Sequence, residues 1–360
     1  TTTTMIAHIF HTAQKPFLAF LGGISKNFGT NFFQSAVGSG QAPPHQGATC
    51  IVEADEFDRS FLHLSPDIAI ITSMDADHLD IYTHKNRMKK SFAEFATRIR
   101  NNGSLIIKDG IELDCEFTDG ITVYRYNLTG KTGFHAANIE IRNGLIHFDF
   151  ITPSGKLPGF VLGIPGMFNL ENAIAALAAG WLSGIPEIEL RCAMHHFSGV
   201  VRRFDLRIRR DDFVYIDDYA HHPEELHACI RAVRELYPGK RITGVFQPHL
   251  YSRTRDLADD FVRVLAELDA LILLDIYPAR EQPVEGIHSR MLLERIHLSD
   301  KMLCDKEELL DILEAHRPEV LLTLGAGDID QLVQPITERF GPSQKTKPPD
   351  TTEENWGMKP

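Results

Sequence analysis

From about Gly199 the chain alternates short apolar runs with amphipathic segments, and this constrains the fold more than any other feature. The runs Phe213–Ile216, Arg241–Phe246, Ala270–Leu274 and Val320–Leu324 read as strands. Pro223–Leu236, Ser252–Leu268, Ser289–Ile296, Lys306–His316 and Asp328–Phe340 read as helices. Regular strand–helix alternation is the pattern of an open α/β sheet.

The first half is less regular. Thr1 to about Gln14 reads as a helix, with Ile6, Ile9 and Phe10 at helical spacing. Phe17–Leu21 is a short strand ending at Gly22-Gly23, and residues 22–48 read as one long loop. Two apolar runs, Thr49–Val52 and Ile68–Thr72, end directly in acidic or polar residues. That is how a parallel strand looks when its carboxyl end opens on a site, and the two read as adjacent parallel strands. Lys85–Arg100 is an amphipathic helix and Ser104–Lys108 a strand. Asn143-Gly144 marks a hairpin within the alternating stretches of 111–163. Asn169–Trp181 and Glu187–Phe197 are helices.

A chain of 360 residues makes about two domains at ~150 residues each, enough for cores that need no metal or disulfide staple. No apolar run approaches the ~18 residues that cross a membrane, and no signal peptide is visible before the first helix. The five cysteines are scattered, with no CxxC pair, as free thiols in a reducing cytoplasm would be. The net charge of −12 argues against broad nucleic-acid binding. The one basic cluster, Arg202 to Arg210, is followed at once by Asp211 and Asp212. For Arg207, Arg209 and Arg210 a solvated strand edge is the simplest reading.

Six segments are candidates for chemistry, each modest when taken alone. Thr1–Thr4 place hydroxyls at a helix N-terminus, where they cap the helix or meet an anion. Glu53, Asp55, Glu56 and Asp58 crowd carboxylates at one strand end, the oxygen-rich setting that Mg²⁺ prefers beside phosphate. His78, flanked by Asp77 and Asp80, has carboxylates ready to orient its ring. A zinc hydrolase is disfavoured, because no HExxH spacing or cysteine pair supplies the other ligands. Three strand-to-helix turns follow: Asp217-Asp218-Tyr219 to Pro223, Gln247 to Arg255, and Gly325-Ala326-Gly327-Asp328. They agree with a ligand cleft at the carboxyl ends of strands, where arginine suits carboxylate or phosphate.

In this order the segments resemble the Mur ligase superfamily, and within it the alanine-adding branch. The resemblance rests on Glu53-Ala-Asp-Glu56, Asp77-His-Leu-Asp80, Asn169-Leu-Glu-Asn172, Arg202-Arg-Phe-Asp205, Asp217 to Pro223 and Phe246 to Arg255. It runs from Thr1 to about Phe340. It implies a central, mostly parallel-sheet P-loop-type ATPase domain over 1–198, its phosphate loop beginning mid-motif at Thr1. A Rossmann-like α/β domain over 199–341 that takes the amino acid would follow, then a disordered tail over 342–360.

The resemblance also implies roles. Thr1 or Thr2 would be the phosphate-loop hydroxyl, and Glu53 and His78 would hold Mg²⁺. Asn169 and Asn172 would lie near the adenine of ATP, Asp218 at its ribose and Tyr219 against its base. Arg203 would reach the γ-phosphate. His221, His249 and Arg253 would line the amino-acid and acyl-phosphate side, with His78, Arg203, His221 and Arg253 catalytic. Three positions depart from the common pattern: Ser73 where asparagine is frequent, Phe168 where histidine is, and Leu250 where arginine is.

The implied reaction joins L-alanine to the carboxylate of UDP-N-acetylmuramate through an acyl phosphate, in a cytoplasmic monomer or weak homodimer. This chain alone is expected to be inactive. The rivals are a recycling ligase that attaches a whole tripeptide to the same sugar, and a non-catalytic nucleotide-binding module.

Overall fold

The structure is a computed structural model that describes residues 1–35, 47–55, 59–74, 85–117, 119–130, 133–142 and 144–341, without the side chains of 85–87. It divides into two compact units between Val201 and Arg202. Among the described residues, no helix is long and apolar enough to cross a membrane.

The first unit opens with α1 (Thr2–Thr12), followed by β1 (Phe17–Phe20), β2 (Phe32–Gln34) and β3 (Thr49–Val52). Next come β4 (Ile68–Ile71), α2 (Lys85–Thr97), β5 (Ser104–Lys108) and β6 (Thr122–Tyr126). It ends with β7 (His135–Arg142), β8 (Leu145–Thr152), β9 (Gly155–Leu162), α3 (Met167–Leu182) and α4 (Glu187–His196). The strands form three sheets in the orders β2-β1-β3, β4-β5-β6 and β7-β8-β9. β1 pairs parallel with β3, and β4, β5 and β6 are parallel throughout. The third sheet is an antiparallel meander whose first hairpin pairs Arg142 with Leu145 across the Asn-Gly position. Of that dipeptide, Asn143 lies outside the described residues, and Gly144 takes the φ of +75° such a turn requires.

α3 is the hub of this unit. Its alanines give up almost no side-chain entropy in a helix, and nearly every residue from Leu170 to Gly180 is buried. Apolarity all round is the mark of a central helix. Gly180 lets α1 and α4 come close: a Cβ there would lie 2.7 Å from Leu190 and 3.1 Å from Ile9.

Two expectations change here. The stretch 22–48 is not all loop: β2 pairs antiparallel with β1, and Ser25 bridges to Val200. Phe32 and Phe33 sit among glycine and polar neighbours, so the strand has little periodic signal. β3 and β4 belong to different sheets, and no ladder joins them among the described residues. The spacing of two acidic strand ends does not say whether the two strands pair.

The second unit contains β10 (Asp205–Arg209), β11 (Val214–Asp218), α5 (Pro223–Leu236) and β12 (Ile242–Phe246). It continues with α6 (Tyr251–Asp256), α7 (Ala258–Leu265), β13 (Ala270–Leu273), α8 (Ser289–Arg295) and β14 (Lys301–Leu303). α9 (Leu309–His316), β15 (Val320–Leu324) and α10 (Asp330–Phe340) complete it. Its sheet has the order β10-β11-β15-β12-β13-β14, parallel except for β10. β12, β13 and β15 are buried at every position, as sandwiched parallel strands should be. Asp218, Leu324 and Phe246 are in register, so the turns that follow these three strands open on one edge.

The expected helix Ser252–Leu268 is two helices, broken at Leu257. No proline or glycine marks the break. Arg207 is not a solvated edge residue: its guanidinium meets Asp205, Gln334 and Thr337, tying β10 to α10.

Candidate active site

In the first unit, the candidate residues gather at the start of α1, the start of α3 and the end of β3. The N-terminus of α1 has no side-chain cap hydrogen bond and no acidic residue in its first turn. A helix start of that kind presents amide N–H groups and a partial positive charge, the setting for an anion. Thr4 Oγ1 is buried there with no hydrogen-bond partner. Thr2 Oγ1 donates to Asn172 Oδ1 at 3.0 Å, which joins two of the expected ATP residues. It also turns the Asn172 amide nitrogen away from Thr2. Asn169 is buried, and its Nδ2 donates to the Pro165 carbonyl at 2.6 Å.

Glu53 lies just past β3 and is exposed; its Oε2 accepts from the Gly22 amide at 3.0 Å. A Cβ at Gly22 would come 2.5 Å from Glu53 Oε1, so a side chain there would displace the carboxylate from this contact. Glycine after the first strand was legible as a turn, but its grip on this carboxylate was not. Asp55 is also exposed. His78 and its flanking aspartates lie outside the described residues, as do Glu56 and Asp58. Among the described residues, no group of three or more His, Cys, Asp and Glu side chains could hold a metal. Hydroxyls at an uncapped helix start and an exposed carboxylate suit phosphate and a hard cation.

In the second unit the expected residues come together around one turn. Tyr219 follows β11, with Arg203 at 5.1 Å and Arg202 at 5.3 Å from its ring centroid, both within cation–π range. Asp218 accepts from Phe204 N at 2.6 Å through Oδ2 and from Ala220 N at 2.7 Å through Oδ1. Burial nevertheless pushes its carboxyl up to about 6, against those two amides and Arg203. Asp217 below it is fully buried, held by Arg202 Nε at 3.2 Å and Thr323 Oγ1 at 2.6 Å.

His221 starts the next turn. His222 and Glu225 form a capping box with Pro223 at the first helical position, which fixes where α5 begins. His221 Nδ1 lies 3.0 Å from the Tyr219 carbonyl and 3.4 Å from Glu225 Oε2. Both neighbours only accept, so Nδ1 carries the proton and a neutral ring offers Nε2 as the acceptor.

His249 faces His221 with ring centroids 5.9 Å apart, and Tyr277 stacks on it at 5.7 Å. Arg253 Nη1 is 3.5 Å from His249 Nδ1. Arginine only donates, so this ring carries its proton on Nε2. Burial, then His221 and Arg253, lower the His249 pKa to about 4, so the ring is neutral at pH 7.

Tyr277 had no signal in the sequence, since only the fold brings the end of β13 beside the β12 turn. Nor did Gln247 signal its anchoring role. It is buried, donates to Asp328 Oδ1 at 2.8 Å and accepts from Ile329 N at 2.9 Å.

Comparison with known proteins identifies the family. Residues 1–180 match the Mur ligase middle domain, and residues 202–327 match the Mur ligase glutamate ligase domain. A UDP-N-acetylmuramate–L-alanine ligase of Parabacteroides distasonis is 46% identical over 338 residues, covering 94% of this chain and 71% of the relative. One of Porphyromonas gingivalis is 44% identical, covering 94% of this chain and 73% of its own length. Among solved structures, the UDP-N-acetylmuramate–alanine ligase of Thermotoga maritima superposes with a TM-score of 0.74 at 23% identity, covering 94% of this chain and 72% of that one. MurF ligase of Thermotoga maritima, solved in complex with ADP, gives 0.64 at 14% identity, covering 94% and 77%. These two structures bear on the fold, whereas the matched domains cover both units, and the chain belongs to the Mur ligase family.

Proposed function

We propose that the protein carrying this chain joins L-alanine to the carboxylate of UDP-N-acetylmuramate with cleavage of ATP, a step of peptidoglycan precursor synthesis. The observation that carries this reading is identity of 44–46% across 94% of the chain to ligases named for that reaction.

In the proposed reaction the muramate carboxylate oxygen attacks the γ-phosphorus and ADP leaves. The alanine nitrogen then attacks the acyl carbon of the resulting acyl phosphate, loses a proton, and phosphate leaves. The residues of this chain supply position and charge. Thr1 and Thr2 at the start of α1 would meet the phosphates, and Asn169 and Asn172 the adenine. Asp218 and Tyr219 would take the ribose and base. Arg203 would offset charge on the transferring phosphoryl group. Mg²⁺, when bound, neutralises phosphate charge that would repel the incoming carboxylate. Glu53, with His78, would hold it.

The two imidazoles divide the remaining work. With the proton on Nδ1, His221 in its neutral form would offer Nε2 to the proton of the alanine amine. His249 presents a neutral N–H, and Arg253 a cation, suited to a carboxylate or to the acyl-phosphate oxygens. The test is phosphate release from ATP that requires both UDP-N-acetylmuramate and L-alanine. Release that requires a tripeptide in place of L-alanine would instead support the recycling ligase.

A further inference from the structure

Arg202 and Arg203 are adjacent in the chain, and the family resemblance gives a role to Arg203 alone. The structure separates them. Arg202 is anchored at both ends: Nε donates to Asp217 Oδ2 at 3.2 Å and Nη2 to the Gly325 carbonyl at 2.5 Å. Its side chain is 15% exposed, and that of Asp217 is 0% exposed. Arg203 is exposed.

The backbone between them is unusual. Arg202 has φ +61° and Phe204 has φ +49°, so two residues with side chains sit in the left-handed region on either side of Arg203. Such conformations persist only where the surroundings over-determine them. Here they are over-determined. Arg202 O accepts from Tyr219 N at 2.7 Å, Phe204 N donates to Asp218 Oδ2 at 2.6 Å, and the Phe204 side chain is buried. Asp217 is itself fixed by Thr323, whose hydroxyl also meets Tyr215 at 3.0 Å. The residue held between these anchors, Arg203, places its guanidinium over Tyr219, beside that of Arg202.

We propose that Arg202 is a positioning residue: with Asp217 and the Gly325 carbonyl it mounts the strained turn that aims Arg203 at the phosphoryl group. This rests on the reading of Arg203 given under the proposed function. The mount needs a fork that engages a carboxylate and a carbonyl together. A lysine ammonium keeps the charge beside Asp217 but cannot span both.

The test therefore uses Arg202→Lys beside Arg203→Ala in the protein that carries this chain. For Arg202→Lys we expect kcat per folded molecule to fall at least ten-fold, with the KM for ATP within about three-fold of wild type. Thr323→Val, which frees one side of Asp217, should reproduce the split in weaker form. A change in melting temperature without change in kcat per folded molecule, or equal changes in kcat and in the KM for ATP, would overturn the proposal. Arg203→Ala should lower kcat by about 10²–10³. If Arg203→Ala is silent, the reading of Arg203 falls and the mount with it. If Arg203→Ala is severe and Arg202→Lys is silent, only the mount falls.

Discussion

His8 lies on the buried face of α1, with ring centroids 5.8 Å from Phe197 and 6.3 Å from Phe28. Neither ring nitrogen has a partner in hydrogen-bond geometry. Burial, then His11 and His196, lower its pKa to about 4, and the Ala193 carbonyl, which favours the charged ring, does not outweigh them. The unfolded chain holds this proton up to pH ~6.5. Between these two values the unfolded state binds more protons than the folded one, so stability falls as pH drops. A 2.5-unit difference at about 1.36 kcal/mol per unit sets a ceiling of roughly 3 kcal/mol, of which about 2 kcal/mol is lost between pH 7.5 and pH 5. Leucine at this position keeps an apolar side chain in the packing and removes the titration. The readout is hydrogen exchange of the α1 amides, corrected for intrinsic rates, which reports on the first unit alone. Wild type should lose about 2 kcal/mol of protection over that pH range, and His8→Leu should lose much less. Equal losses in the two proteins would refute the argument.

Other outcomes follow from the same geometry. Asp218, with its carboxyl raised to about 6, acts in the opposite sense. Its neutral form is favoured in the fold, so its contribution to stability declines as pH rises from about 4 to 6. Asp218→Asn should remove that component from the exchange of β11 and α5 amides. Gly327→Ala would put a Cβ 2.4 Å from Gln247 Oε1 and 2.6 Å from Tyr277 Cβ. Gln247 is hydrogen-bonded at both ends and cannot yield, so the second unit should lose about 1–3 kcal/mol in urea unfolding. Glu53→Ala removes an exposed carboxylate and should change stability by no more than about 0.5 kcal/mol. Turnover should nevertheless fall sharply and the Mg²⁺ concentration needed for half-maximal rate should rise; an unchanged Mg²⁺ titration would remove Glu53 from the metal site.

The second unit was the more legible in sequence. Its core strands are continuous apolar runs, and Pro223 with Glu225 marks the start of α5 within one residue. The expected Val320–Leu324 and Pro223–Leu236 coincide with β15 and α5. Short edge elements were less legible: β10, β14 and β2 have three to five residues each, and pairing rather than periodicity makes them strands. The candidate site divides the same way. Residues on one turn, such as Asp218, Tyr219 and His221, are neighbours in the chain and could be read together. Tyr277 on His249, Thr323 on Asp217 and Gly22 on Glu53 join separate strands or the turns after them, and only the sheet order brings them into contact. The roles of Arg202 and Arg203 could not be separated by composition, because they differ in backbone conformation and partners.

The central claim is the reaction, and its most direct measurement is phosphate release by the protein that carries this chain. ATP, Mg²⁺ and UDP-N-acetylmuramate should be offered with L-alanine, glycine, L-serine or the L-alanyl tripeptide in turn. Release fastest with L-alanine, absent without the sugar nucleotide, and matched mole for mole by UDP-N-acetylmuramoyl-L-alanine is the result expected. Release driven by the tripeptide but not by L-alanine, or nucleotide binding with no product from any acceptor, would contradict it.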